Sequence, residues 1–143
     1  MSSNEEDLVK SMETEFPVRY AETDAMGVVH HAGYLVYFEE GRSHFMRVLG
    51  RDYASIESDG YRLPVTEIGV RYLGSSKYGD WVRIRSWVEE NRSRRLSFAY
   101  EVRNSESEEV LVSGFTRHIW TDLDGNVTRI PQDLRDLFTR NKI

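Results

Sequence analysis

The chain has 143 residues, a formal net charge of −5 at pH 7 and no cysteine; 39% of its residues are hydrophobic and 30% charged. That length suits one domain with a core of its own, and the missing thiols exclude disulfides, thiolate metal sites and a cysteine nucleophile. The acidic balance argues against a general nucleic-acid binder.

No apolar run nears the roughly 18 residues that cross a bilayer. The first ten residues, MSSNEEDLVK, lack the basic and apolar regions of a signal peptide, so a soluble cytoplasmic protein is expected. The Asn-x-Ser/Thr matches at Asn91 and Asn126 are read as chance. Residues 1–12 are polar without periodicity and are expected to form a disordered lead-in to one domain over 13–143.

Residues 13–21 predict a first strand, with Phe16, Val18 and Tyr20 alternating with polar neighbours. Pro17 puts that strand at an edge or start, because it cannot donate to a ladder. A glycine-containing loop follows. Over 31–49 the period changes: Tyr34, Leu35, Phe38, Phe45, Met46 and Leu49 recur at three- and four-residue steps, and Gly50 is a plausible stop. This predicts the longest helix, its aromatic stripe packed on a sheet. A short helical turn is expected at 53–58. Strands are then predicted over 61–74, 80–91, 94–104 and 108–122, with a turn at Asp122–Asn126 and a short helix opened by Pro131. The fold class is α+β: one strongly curved antiparallel sheet around one long helix. Aromatic residues on both strand faces hint that the sheet also builds an interface.

The segment YAETDAMGVVHHAGYLVYFEEGR carries the chemistry. Asp24 lies in a loop, Gly27 lets the chain turn, and a helix begins near His31. A helix N-terminus presents unpaired N–H groups that can polarise a carbonyl oxygen, and a nearby carboxylate can act on the carbonyl carbon directly or through water. An Asp in such a loop more often makes turn or cap hydrogen bonds than chemistry. Farther along, ENRSRRLSF gathers Arg92, Arg94 and Arg95 with Ser93 and Ser97. It reads either as a phosphate-binding tract or as a solvated hairpin turn. His44 falls on the predicted helix and His118 on a predicted strand, where core or surface roles dominate. No histidine spacing suits zinc, and no nucleophile elbow, P-loop or dinucleotide motif occurs.

Asp24, Gly27, Val28, Val29 and Tyr34, followed by Phe38 and Glu39, together resemble the signature of the 4-hydroxybenzoyl-CoA thioesterase family of hotdog-fold enzymes. His31, seven residues after the acid, is similar to the branch of acyl-CoA thioesterases associated with the bacterial Tol-Pal system. The likeness runs on through VTEIGVRYLGSSKYGDWVRI and covers about residues 14–130.

The resemblance implies a hotdog fold and hydrolysis of an acyl-CoA to free acid and CoA. In it Asp24 is the nucleophile or general base, and the His31 amide polarises the thioester carbonyl. The His31 side chain orients water or Asp24, or lines the pocket. Gly27, Val29 and Tyr34 border the acyl group, while Arg92, Arg94, Arg95 and Ser97 meet the nucleotide, with Arg129 a weaker phosphate candidate. No metal or redox cofactor is called for. A homodimer with sheets joined edge to edge, or a homotetramer, is implied, with active sites at the dimer interface. Some relatives place a catalytic Glu on the helix, which raises Glu39 and Glu40, but the Asp-bearing loop argues against it. The alternatives are a non-hydrolytic module binding acyl-CoA or acyl-carrier protein and, lower, a hydratase on a related fold.

Overall fold

A computed structural model of the chain describes residues 8–139. Five strands form one antiparallel sheet: β1 (Met12–Pro17), β2 (Val65–Tyr72), β3 (Trp81–Asn91), β4 (Arg95–Asn104) and β5 (Val110–Ile119), in the spatial order β1-β3-β4-β5-β2. Among the described residues three α-helices complete the fold: α1 (Gly33–Val48), α2 (Tyr53–Ser58) and α3 (Gln132–Asp136). This is the expected hotdog arrangement, a curved sheet around one long helix. Register shifts at Val65/Glu67, Val88/Glu90 and Val102/Arg103 mark irregularities of the bulge kind that bend strands.

The alternation read from the sequence decides which face turns inward. Val82, Ile84, Ser86 and Val88 of β3 and Leu96, Phe98, Tyr100 and Val102 of β4 are buried. Against them α1 buries Tyr34, Tyr37, Phe38, Gly41, Phe45 and Met46. Phe38 stacks on Tyr100 with centroids 4.5 Å apart, and Phe45 meets Phe98 edge-on at 5.4 Å. Such pairs contribute ~0.5–1.5 kcal/mol each beyond the area they bury. The helix ends as expected: Gly50 takes φ +87°, its N–H reaches the Arg47 carbonyl, and the Arg51 N–H reaches that of Met46. These two bonds satisfy carbonyls that the helix end would otherwise leave unpaired.

Three expectations shift. The strand predicted over 13–21 stops at Pro17, and Tyr20 opens a single 3-10 turn, Tyr20–Glu22, with its side chain 77% exposed. The long helix starts at Gly33 rather than His31 because residues 30–32 form a turn that delivers the chain to it. Of the expected disordered lead-in, residues 1–7 lie outside the described residues. Residues 8–12 are ordered: Leu8 is buried and bridges Thr139, and the Val9 N–H donates to the Phe138 carbonyl at 2.9 Å. The apolar Leu8 gives that stretch something to bury against the terminal segment. Among the described residues no helix is long and apolar enough to cross a membrane.

Candidate active site

The loop between β1 and α1 is tied into a narrow finger by its own backbone. The Asp24 N–H donates to the Val28 carbonyl (2.8 Å) and the Gly27 N–H to the Asp24 carbonyl (3.0 Å). Gly27 sits at φ +81°, a conformation that a Cβ would strain. Thr23 and Val29 bridge across the base of the finger. The outgoing strand is then pinned from outside: the Val29 N–H donates to the Ser76 carbonyl at 2.8 Å, and Val28 bridges Lys77.

Asp24 is half-buried. Its Oδ1 accepts the Met26 N–H at 2.8 Å, the turn contact expected of such a residue. Its Oδ2 accepts no hydrogen bond among the described residues, so one oxygen fixes the side chain and the other is uncommitted.

Where the chain enters α1, the N-cap is Ala32, which offers no side-chain acceptor. His30 substitutes: its Nδ1 accepts the Ala32 N–H at 3.2 Å, and its carbonyl accepts the Gly33 N–H at 2.7 Å. The His31 N–H has no acceptor among the described residues. The His31 ring is exposed, lies on that of His30 with centroids 4.1 Å apart, and meets Tyr72 edge-on at 6.5 Å. The Tyr72 hydroxyl donates to the His31 carbonyl at 2.8 Å, fixing the peptide beside the open amide.

Tyr34 is buried, and its hydroxyl is engaged by Ser76, accepting the Ser76 N–H at 3.1 Å. Tyr34 thereby supports the residue that holds Val29. Ser76 gives no sequence signal, because it comes from the β2–β3 connection more than forty residues away. Glu22 and Tyr37 were likewise not foreseen as site residues. The Tyr37 hydroxyl donates to Glu22 Oε1 at 2.8 Å, and Arg19 donates to Glu22 from both backbone and guanidinium. Burial opposes ionisation of Glu22, yet these hydrogen bonds outweigh it and hold the carboxyl below its usual range. Burial and the Glu22 carboxylate push the Tyr37 hydroxyl well above its usual range, so it stays a donor. The Arg19-to-Glu22 spacing was the available signal. Glu39 and Glu40 are exposed on the helix.

The basic tract lies elsewhere. The β3–β4 turn that carries it sits where Arg95 pairs with Ile119, at the Val65 end of β2, whereas His31 meets the Tyr72 end. Eight residues of β2 span roughly 23 Å. The chain thus brings together Asp24, Gly27, Val29, His31 and Tyr34, but not Arg92, Arg94, Arg95 and Ser97. Arg92 and Arg95 share Glu90 at 3.0 and 3.8 Å, and Arg94 is exposed. Ser97 lines a cavity of about 500 Å³ on the sheet face away from α1, with Trp87, Ala99 and Phe115.

A carboxylate with a free oxygen and an amide with a free proton, carried on one braced loop, suit attack on a carbonyl compound. The sequence profile of the thioesterase-like superfamily matches residues 18–138. This chain belongs to that superfamily. YneP of Bacillus subtilis, provisionally named an acyl-CoA thioesterase, is 35% identical over 108 residues, covering 76% of this chain and 78% of its own. The acyl-CoA thioester hydrolase YbgC of Escherichia coli O6:H1 is 28% identical over 94 residues, 64% of this chain and 70% of its own. Among solved structures, the DHNA-CoA thioesterase of Staphylococcus aureus superposes with a TM-score of 0.84 at 34% identity, over 89% of this chain and 87% of that one. The superfamily and these names bear out the expected class of thioester hydrolase.

Proposed function

We propose that the protein hydrolyses acyl-CoA thioesters to the free acid and CoA. The thioester carbonyl lies between Asp24 and the His31 amide. Asp24 uses its free oxygen either to attack the carbonyl carbon, giving an anhydride that water then opens, or to take a proton from an attacking water. In both routes the carbonyl oxygen gains negative charge, and the His31 N–H stabilises it from the start of α1. The thiolate leaves and is protonated as CoA. Gly27 keeps the tip of the finger free of side-chain bulk, while Val29 and Tyr34 border the acyl group. The observation that carries this reading is the uncommitted Asp24 Oδ2 and the uncommitted His31 N–H on one rigid loop.

The tract and this loop lie at opposite ends of β2, a strand roughly 23 Å long, which supports a two-chain site. Antiparallel pairing of two β2 edges puts the Val65 end of one subunit beside the Tyr72 end of the other. Arg92, Arg94, Arg95 and Ser97 of one chain then serve the nucleotide bound at the Asp24 of its partner. An apolar cavity of about 530 Å³, lined by Tyr53, Ile56, Tyr61, Leu63, Pro64 and Ile119 at that same end, faces the acyl group.

The test is thiol release from butyryl-, lauroyl- and benzoyl-CoA by the wild-type protein and by Asp24→Asn. The variant is expected to keep its fold, read by circular dichroism, and to lose about 10²- to 10⁴-fold in turnover. Turnover equal to wild type removes Asp24 from the mechanism. Binding without thiol release by the wild-type protein marks a non-hydrolytic acyl-CoA module instead.

A further inference from the structure

We infer that Glu22 is a positioning residue for the reaction, a clamp that fixes Asp24 and the His31 amide relative to each other; this rests on the thioesterase reading above. Glu22 stands two residues before Asp24 and touches three separate parts of the chain. Its Oε1 accepts the Arg19 N–H at 2.9 Å and its Oε2 accepts Arg19 Nε at 2.8 Å, gripping the segment that enters the loop. Its carbonyl accepts the His30 N–H at 2.9 Å, gripping the strand that leaves it, one residue before the open amide. Its Oε1 also accepts the Tyr37 hydroxyl at 2.8 Å, gripping the body of α1.

The Tyr37 bond is the only side-chain hydrogen bond, among the described residues, that joins residues 19–30 to the body of that helix. Tyr37 has no freedom to follow a drifting loop. It is fully buried, with the Phe16 ring 5.0 Å away and the Tyr34 ring 5.6 Å away, both edge-on. Beside the brace that reaches Val29 through Ser76, this carboxylate is the direct side-chain tie between the loop and the helix. The carboxylate and amide that face the thioester are the next groups along the same backbone, so a shift at Glu22 moves one against the other.

A clamp acts on the transition state more than on substrate binding, which separates it from a residue that merely holds the fold. Steady-state thiol release on whichever of butyryl-, lauroyl- and benzoyl-CoA is cleaved fastest is measured for Glu22→Ala, Glu22→Gln, Tyr37→Phe and Glu22→Ala/Tyr37→Phe, with Asp24→Asn as control. Glu22→Ala is expected to lower kcat roughly 10- to 100-fold while KM stays within about threefold. Tyr37→Phe shifts kcat the same way, the double variant falls no lower than Glu22→Ala, and Glu22→Gln, which keeps an acceptor for Tyr37, recovers part of the loss. Wild-type kcat in Tyr37→Phe overturns the clamp, as do additive losses in the double variant. Should Glu22→Ala fail to fold, Tyr37→Phe, which removes one hydroxyl, decides alone. Full activity in Asp24→Asn places the fault in the assignment of Asp24, and the clamp falls with it.

Discussion

His118, on β5, ends a directed run of hydrogen bonds beneath the helix. Its Nδ1 lies 3.2 Å from the Leu63 carbonyl, which can only accept, so the ring proton sits on Nδ1. Nε2 therefore accepts from Thr116 Oγ1 at 2.7 Å; Thr116 accepts from the Tyr100 hydroxyl at 2.6 Å, and Tyr100 from Arg42 at 3.1 Å. Every member is neutral except the guanidinium at its head. Burial, and secondarily the Arg42 charge, push the imidazole down to about 4 from its ordinary value near 6.5, against the pull of the Leu63 carbonyl. The unfolded chain thus takes up this proton first as pH falls. The stability His118 contributes is complete above about pH 6.5 and drains away between there and pH 4, about 3 kcal/mol in all. Urea unfolding at pH 7.5 and 5.0 should show the drop in the wild-type protein and a shallower one in His118→Gln; equal slopes would discard the buried neutral ring. The sequence places His118 on a strand in a core or surface role, but its partners at 42, 63, 100 and 116 are contacts no local pattern reveals.

The seam between α1 and the sheet turns on a residue without a side chain. A Cβ at Gly41 would stand 2.5 Å from Ser86 Oγ and 2.6 Å from Ile84 Cγ2. Replacing an interior helix glycine by alanine ordinarily gains up to about 1 kcal/mol. Here overpacking opposes that gain at about 1–3 kcal/mol, so Gly41→Ala is expected to lower the thermal midpoint. A rise would mean that helix and sheet are less close than described. Periodicity at Tyr34, Phe38, Phe45 and Met46 was enough to find the helix and its buried stripe. Gly41 escaped notice because a glycine adds no apolar signal, although it sets the approach distance. The strands were legible by their alternation, and their ends were not: β2 is shorter at both ends than its apolar pattern suggests, and β1 stops at Pro17.

Across the molecule, α1 packs mainly over β1, β3 and β4, and it meets β2 at Tyr72, whose ring lies 5.9 Å from that of Tyr34. Val65, Ile68 and Tyr72 are 41%, 45% and 47% exposed along that outermost strand. An edge strand with apolar side chains invites a second sheet. A lysine at its centre, Ile68→Lys, is expected to shift sedimentation toward the monomer and to abolish thiol release although Asp24 is untouched. An assembly and a rate like those of the wild-type protein would reject pairing through this edge. The Asp24 loop was legible because its residues are neighbours in the chain as well as in space. The separation of the basic tract was not, since only the order of strands reveals which end of the sheet a hairpin occupies.

That separation has a genetic corollary. A chain mutated at Asp24 and a chain stripped of Arg92, Arg94 and Arg95 carry their lesions at opposite ends of the sheet. Co-expressed and joined through β2 as proposed, the pair assembles one pocket that inherits both defects and one that inherits neither, so two inactive parents give active offspring.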